Sequence, residues 1–360
     1  MKRLLVYSAQ MEPVGGIESH VVEFCLQLAN AGYRITLMSS RFELDDDHRN
    51  CLERAGVELV VNDRHWTSST PLRKSLWTLC ALLRLLPRKF DVVYTNGQGR
   101  NPALVHAWFR RRLRLVHHHH TSCDSHDVAT WPVAYVQAMR RADALVVCAD
   151  YIRSRMQRAI SRPDVEVVYC FSRQPAMSLV RPPCDARIVF GYFGRLIPEK
   201  GIDWILRLSE DPRLSDITWR IWGNEGAYTA GDFAGRSNVQ YLGPFSGHDG
   251  LWNAVQGLHC FCLFSRHPEG VPISLIEVMA AGKPWIATAQ GGIPELAHDS
   301  DSCVIVSLDD YEEVVSACMA MCARIRAAQV DAAKQHAFYR TRFASDALLP
   351  QWLRLLTAES

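Results

Sequence analysis

The chain has no apolar run of membrane-spanning length, no dinucleotide fingerprint and almost no charge imbalance. A spanning helix needs about 20 consecutive apolar residues, and none of the 360 residues begins such a run, so an integral helical membrane protein is not expected. Lys2-Arg3 is followed only by Leu-Leu-Val-Tyr, too short for a secretion signal. Forty basic side chains against 38 acidic ones leave +2, which does not point to nucleic acid. No G-x-G-x-x-G follows the first strand pattern. The twelve cysteines lack paired metal-ligand spacing: Cys260 and Cys262 alternate along a strand, and Cys318 and Cys322 lie four apart on a helix. They read as buried, reduced thiols of a cytosolic protein.

What is present suits a soluble chain of two α/β domains. Hydrophobic residues make up 48% and charged residues 22%, and 360 residues is long for a single core. The most informative stretch is His267-Pro-Glu-Gly-Val-Pro-Ile-Ser-Leu-Ile-Glu277, continued by Val-Met-Ala-Ala-Gly-Lys-Pro-Trp-Ile-Ala287. An apolar run, Leu258 to Phe264, reads as a buried strand before it, and Pro284 to Ala287 reads as another after it. Ser274 to Ala281 has helical periodicity, stopped by Gly282 and Pro284. The turn Glu269-Gly270-Val271-Pro272 therefore lies where a strand feeds a helix, at the carboxyl edge of a sheet. Free amides and the positive end of a helix dipole face outward there, which favours an anionic ligand. Glu269 and Glu277 bracket the turn, one on the loop and one about two helical turns on.

Earlier in the chain, Leu4 to Ser8 reads as a strand, Gly15-Gly16 as a loop permissive to close ligand approach, and Val21 to Ala31 as a helix closed by Gly32. Further strands read at Arg34–Ser39, Val57–Val61, Val92–Thr95, Leu115–His119 and Ala144–Val147, with helices at Pro71–Leu86, Ala103–Arg111 and Pro132–Arg141. The alternation predicts a mostly parallel, doubly wound sheet. His117-His-His-His120 falls at a strand end, where neighbouring side chains point to opposite faces. The run alone cannot give four ligands to one metal; a zinc site would need further ligands at suitable spacing, and none is expected. Asp45-Asp46-Asp47 reads as a solvated polar loop. The Pro-rich stretch between Val168 and Arg187 reads as a linker. After it, Ile188 to Gly194 runs into Arg195, then Lys200-Gly201 at a helix start. Arg195 can fork onto two phosphate oxygens and Lys200 supplies a point charge. Between Arg73 and Arg114 lie ten basic residues, Arg110, Arg111 and Arg112 among them, against the single acid Asp91. They interleave with Trp77, Leu82, Leu83, Leu85, Leu86, Phe90, Trp108 and Phe109, a composition that suits an anionic membrane surface or a solvated helix face; nucleic acid is a third reading, but no recognised binding motif accompanies the charge.

Glu269-Gly270-x6-Glu277-Val-Met-Ala-Ala-Gly282-Lys-Pro284 resembles the donor-site signature of the retaining GT-B-fold nucleotide-sugar glycosyltransferases of family 4. Gly194-Arg195-x4-Lys200-Gly201, Val239-Gln-Tyr-Leu-Gly243 and Gly291-Gly292-Ile-Pro-Glu295 resemble further motifs of the same family. The resemblance implies two Rossmann-like domains with an interdomain cleft: residues 1–172 on the acceptor side, joined by a crossover helix at about 344–360, and 187–343 for the nucleotide sugar. It implies that Arg195 and Lys200 meet the donor diphosphate with the turn Gly270, Val271, Pro272, Ile273 and Ser274. Glu277 would meet the ribose and Glu269 the sugar. Gly15 and Gly16 would lie against phosphate and sugar, Gly223, Asn224 and Glu225 near the base, and His120 (or His119) beside the sugar. It implies transfer without a metal or organic cofactor, from a UDP-sugar to a saccharide or lipid-linked acceptor. The cysteines and the basic segment add the expectation of a cytoplasmic protein with peripheral contact to anionic membrane and no nucleic-acid partner. A soluble acceptor, a GT-B-fold sugar-nucleotide epimerase and a two-lobed binding protein are the alternatives.

Overall fold

The computed structural model describes residues 2–12, 15–62, 70–109, 113–173, 187–245 and 247–357. The chain divides into two compact units, one running to Phe171 and completed from Ser345 onward, the other Ser172–Ala344. The proposed linker falls largely at residues 174–186, outside the described residues.

The first unit alternates strand and helix: β1 (Arg3–Tyr7), α1 (Gly16–Asn30), β2 (Arg34–Ser39), α2 (Asp46–Arg54), β3 (Glu58–Val61), α3 (Pro71–Leu85), β4 (Val92–Asn96), α4 (Arg100–Phe109) and β5 (Arg114–His119). It continues with α5 (Ser125–Ala129), α6 (Val133–Arg141), β6 (Ala144–Val147), α7 (Asp150–Ile160) and β7 (Val165–Val167). All pairings are parallel, in the order β3-β2-β1-β4-β5-β6-β7. Strands covered by helices on both faces are apolar throughout rather than alternating, and β4 is buried at every position.

The second unit holds β8 (Ile188–Phe193), α8 (Ile202–Ser209), β9 (Ile217–Trp222), α9 (Ala230–Phe233), β10 (Val239–Tyr241), α10 (Gly247–Gln256), β11 (Cys260–Leu263), α11 (Ile273–Ala280), β12 (Trp285–Thr288), β13 (Cys303–Val306), α12 (Tyr311–Arg326) and α13 (Ala332–Arg342). Its parallel sheet has the order β10-β9-β8-β11-β12-β13. The last helix, α14 (Ser345–Thr357), belongs to the first unit. Its Trp352 is fully buried, edge-on to Phe24 at 5.0 Å and to His118 at 5.0 Å, and Arg114 Nε donates to the carbonyl of Leu355 at 2.7 Å.

Two readings of the sequence are corrected here. Asp45-Asp46-Asp47 is no loop: Asp45 accepts the His48 amide at 2.8 Å as an N-cap, and Asp46 and Asp47 occupy the first turn of α2, where the helix dipole favours acids. Helix α1 starts at Gly16, not Val21: the Ser19 amide already bonds the Gly15 carbonyl at 3.1 Å, and His20 is the first residue of the helix to be buried. His20 is thereby drawn into the core.

Candidate functional site

In the second sheet the chain runs outward from β8 to β9 and β10, and in the other direction from β11 to β12 and β13. The order reverses between β8 and β11, and open α/β sheets bind ligands just outside the carboxyl ends of the strands at that point. Both loops singled out in the sequence leave from there.

After β8, Gly194 takes a positive φ of 153°, and the exposed Arg195 follows, its carbonyl accepting from Tyr192 Oη at 2.7 Å. A 3-10 turn, Pro198–Lys200, closes on Gly201 at φ 72°. A Cβ on Gly201 would lie 2.1 Å from the carbonyl oxygen of Phe264, so only glycine lets this turn press against the end of β11. That approach brings Lys200 Nζ to 2.5 Å from Glu269 Oε1. The same oxygen accepts a short hydrogen bond from the Ser265 hydroxyl, and His267 Nε2 lies 3.8 Å away. Burial pushes the Glu269 carboxyl up, but Lys200, His267 and Ser265 together outweigh it and hold the group below its ordinary value. Glu269 is therefore a buried carboxylate in its charged form at neutral pH.

The loop carrying Glu269 is held from behind. Gly292 N lies 3.1 Å from the carbonyls of both Glu269 and Gly270. Gly291, at φ 62°, has no room for a side chain, since its Cβ would sit 1.9 Å from the Glu269 oxygen. Helix α11 then begins at Ile273, one residue before the expected Ser274, after an N-cap proline that makes no side-chain cap. Among the described residues, the amides of Gly270, Val271, Ile273 and Ser274 have no acceptor. Four donors without acceptors beside Lys200 are an arrangement whose chemistry suits an anion.

Glu277 has the opposite environment. It is 1% exposed, and burial raises its pKa despite Arg173, whose Nε donates to Oε1 at 2.8 Å. Gly223, at the end of β9, packs so closely that a Cβ would lie 2.1 Å from the Gly194 carbonyl, which ties the β9 turn to the β8 turn. Asn224 and Glu225 beside it are exposed, and Glu225 accepts the Ala230 amide at 2.8 Å.

In the first unit the reversal of strand order falls between β1 and β4, and Gly15 and Gly16 open α1 on the loop after β1. The Glu18 carboxylate folds over Gly15, where a Cβ would meet it at 1.9 Å, and burial raises the pKa of that carboxyl. The four histidines separate by face. His117 and His119 lie 3.0 and 2.8 Å from Tyr135 Oη on one side. His118 lies 3.0 Å from Tyr94 Oη and 3.2 Å from His20 Nε2 on the other. Both nitrogens of His119 are engaged, the second by Thr121 Oγ1 at 2.7 Å. His120, just past the strand, keeps a buried Nε2 with no partner among the described residues.

The structure thus brings Lys200, Glu269, Gly270 and the start of α11 together, with Arg195 one turn away on the same loop. Arg173, Ser265, Gly201 and Gly291 complete the arrangement. The sequence carried no signal for Arg173, a lone basic residue beside a Pro-rich stretch, or for Ser265. The glycine of Lys200-Gly201 and the Gly291-Gly292 pair were visible, but not that each clears a backbone contact.

Two doubly wound parallel sheets in separate units, with a turn of free amides at the switch point of the second, have the architecture of the GT-B class. The chain belongs to the family 4, group 1 glycosyltransferases: a model described as Glycosyltransferase Family 4 matches residues 14–171, and one described as Glycosyl transferases group 1 matches residues 187–324. No curated protein matches the chain by sequence. Among solved structures it is similar to Anabaena HepE in complex with UDP and glucose, at 17% identity over 100% of both chains with a TM-score of 0.77. It is also similar to the sucrose-phosphate synthase of Thermosynechococcus elongatus, at 16% identity over 99% of this chain and 98% of that one, TM-score 0.77. WaaG, a glycosyltransferase involved in lipopolysaccharide biosynthesis, has 14% identity over 99% and 100% with a TM-score of 0.73. At these identities the likeness speaks for the fold.

Proposed function

We propose that the protein transfers a sugar, with retention of anomeric configuration, from a UDP-sugar to a lipid-linked saccharide in surface polysaccharide or lipopolysaccharide assembly. The observation that carries this reading is the turn at the end of β11: four donors without acceptors, a lysine beside them and a charged buried Glu269. Arg195, Lys200 and these amides take the negative charge that develops on the departing diphosphate, the task a bound Mg²⁺ performs in other transferases. Glu277 takes the ribose hydroxyls and Glu269 those of the sugar, with His120 beside it and Gly15 and Gly16 against the phosphates. Arg173 and Lys200 hold the two carboxylates until the donor arrives. Anabaena HepE, with UDP and glucose, and WaaG, in lipopolysaccharide biosynthesis, support the donor class and the pathway.

The lipid-linked acceptor rests on α3. Leu72, Leu76 and Leu83 are 79%, 60% and 49% exposed, spaced four and seven apart on one helix face beside exposed Arg73 and Arg84. Peripheral contact with the inner face of an anionic membrane would cover that face. The test of the reaction is incubation with UDP-sugars and polyprenyl-linked saccharides, with the anomeric proton of the product read by NMR. An α-linked product from an α-linked donor is expected; an inverted linkage, or an isomerised sugar released without acceptor, would overturn the reading.

A further inference from the structure

The carboxyl ends of β5, β6 and β7, three adjacent parallel strands, converge on a cluster that the transfer reaction does not use as a whole. His120 follows β5, Cys148 follows β6, and Cys170 lies three residues past β7. One ligand atom from each lies within 4.8 Å of the other two. Cys170 Sγ is 3.6 Å from His120 Nδ1. Two ligands of one tetrahedral zinc, at about 2.3 Å for sulfur and about 2.0–2.1 Å for nitrogen, stand about 3.6 Å apart. Both cysteines are buried, at 3% and 4% exposure.

A second observation points to a ligand. His118, fully buried, has its ring centroid 4.0 Å from that of His120, and Nε2 of each ring is buried with no partner among the described residues. Such groups cost free energy unless something unseen satisfies them. Of the two other candidate clusters among the described residues, that of His20, His118 and His120 shares His120 with this one, but its His20 Nε2 and His118 Nδ1 already lie 3.1 and 3.0 Å from Tyr94 Oη; that of His119, Cys123 and Asp127 is already self-satisfied. Asp127 Oδ2 accepts from Thr121 Oγ1 at 2.6 Å and from Cys123 N at 3.0 Å, and both nitrogens of His119 are engaged.

We propose that His120, Cys148 and Cys170 bind one zinc ion through one nitrogen and two thiolates, leaving a fourth position open to water or another oxygen ligand. Two sulfurs and an imidazole select a thiophilic ion over magnesium or calcium, which take oxygen ligands. The site is thus no substitute for the diphosphate clamp of the second unit, and it stands whether or not the transfer reading holds. Binding replaces both thiol protons and releases them to solvent. Because both thiols must give up a proton to bind, zinc affinity rises with pH. The sequence concealed the site because its ligands come from three strands 22 to 50 residues apart.

The test is metal content of the full chain after dialysis against chelator and return of Zn²⁺, read by atomic emission. One zinc per chain is expected. Cys148→Ser and Cys170→Ser should each weaken binding by more than the 10- to 100-fold that loss of an outer partner costs, whereas Cys123→Ser and Cys80→Ser should keep it. Reconstitution of the unaltered chain with Co²⁺ gives a readout that no folding defect can mimic: a thiolate-to-cobalt charge-transfer band. Stoichiometric zinc in the Cys148→Ser/Cys170→Ser double variant, loss of zinc with Cys123→Ser instead, an unaltered chain that takes up no zinc, or cobalt bound without that band would each overturn the proposal.

Discussion

At the scale of single residues, the site opposes two buried glutamates in different electrostatic settings. Glu269 is held charged by Lys200, His267 and Ser265; Glu277 is raised by burial and only partly offset by Arg173. Glu269→Gln should therefore damage transfer more than nucleotide binding, whereas Glu277→Gln should weaken UDP itself. Calorimetry with free UDP separates the two, and a loss of UDP affinity confined to Glu269→Gln would mean reversed roles. Arg195→Ala and Lys200→Ala should each lower turnover by about 10²-fold or more, the cost of one lost oxyanion partner. Lys200→Ala carries an added penalty, since it strands a buried carboxylate. Its melting temperature should fall where that of Arg195→Ala, at an exposed position, does not. Unchanged turnover in both variants, at limiting and saturating donor, would remove them from the diphosphate. These residues were legible because residue type and spacing named them. Arg173 and the clearance at Gly201 and Gly291 were not, since each acts on a residue distant in the chain; Ser265 was not, because only the folded loop turns its hydroxyl onto Glu269 four residues on.

At the scale of elements, β5 concentrates histidines in a core that cannot charge them. Burial is the first cause for each: His117 and His118 are driven well below their ordinary value of 6.5, His119 to about 3 and His106, which faces His117 across Thr95, to about 4. His20 is lowered in the same way. The unfolded chain takes up protons near pH 6.5 that the folded chain refuses, so stability present above 6.5 is lost as pH falls below it. The slope is about 1.4 kcal/mol per pH unit for each such group. The melting temperature should drop steeply between pH 7 and pH 5, and His106→Phe should make that drop shallower; an unchanged slope would mean that these rings carry protons when folded. The parallel strands were legible because strands buried on both faces spell long apolar runs, and the alternation of faces along β5 followed from the two-residue period. Polar N-termini hid α2 and the first turn of α1, and β7, three residues long, is too short to stand out.

At the scale of the whole molecule, the basic, apolar segment is only partly free to meet a membrane. Among its residues Leu82, Leu85, Phe90 and Phe109 are core, and Trp77 and Trp108 pack against that core. Arg88 is paired with Glu58 and Arg114 holds α14; Arg110, Arg111 and Arg112 lie outside the described residues. What remains is the outer face of α3 with Leu86 beyond it. No helix among the described residues is long and apolar enough to cross a membrane. Co-sedimentation with anionic vesicles should therefore succeed at low salt, fall as salt screens the basic side chains, and fall at any salt in Leu76→Asp/Leu83→Asp. Indifference of the unaltered chain to vesicles would return α3 to a solvated face. The central claim is that the nucleotide diphosphate seats on the turn at the end of β11. Hydrogen exchange of the backbone, with and without UDP, tests it most directly, because the amides of Gly270, Val271, Ile273 and Ser274 have no acceptor among the described residues. Saturating UDP should slow exchange at those four amides and at the Arg195–Lys200 loop, and the slowing should be lost in Glu277→Gln; UDP binding that leaves those amides exchanging at the free rate would contradict it.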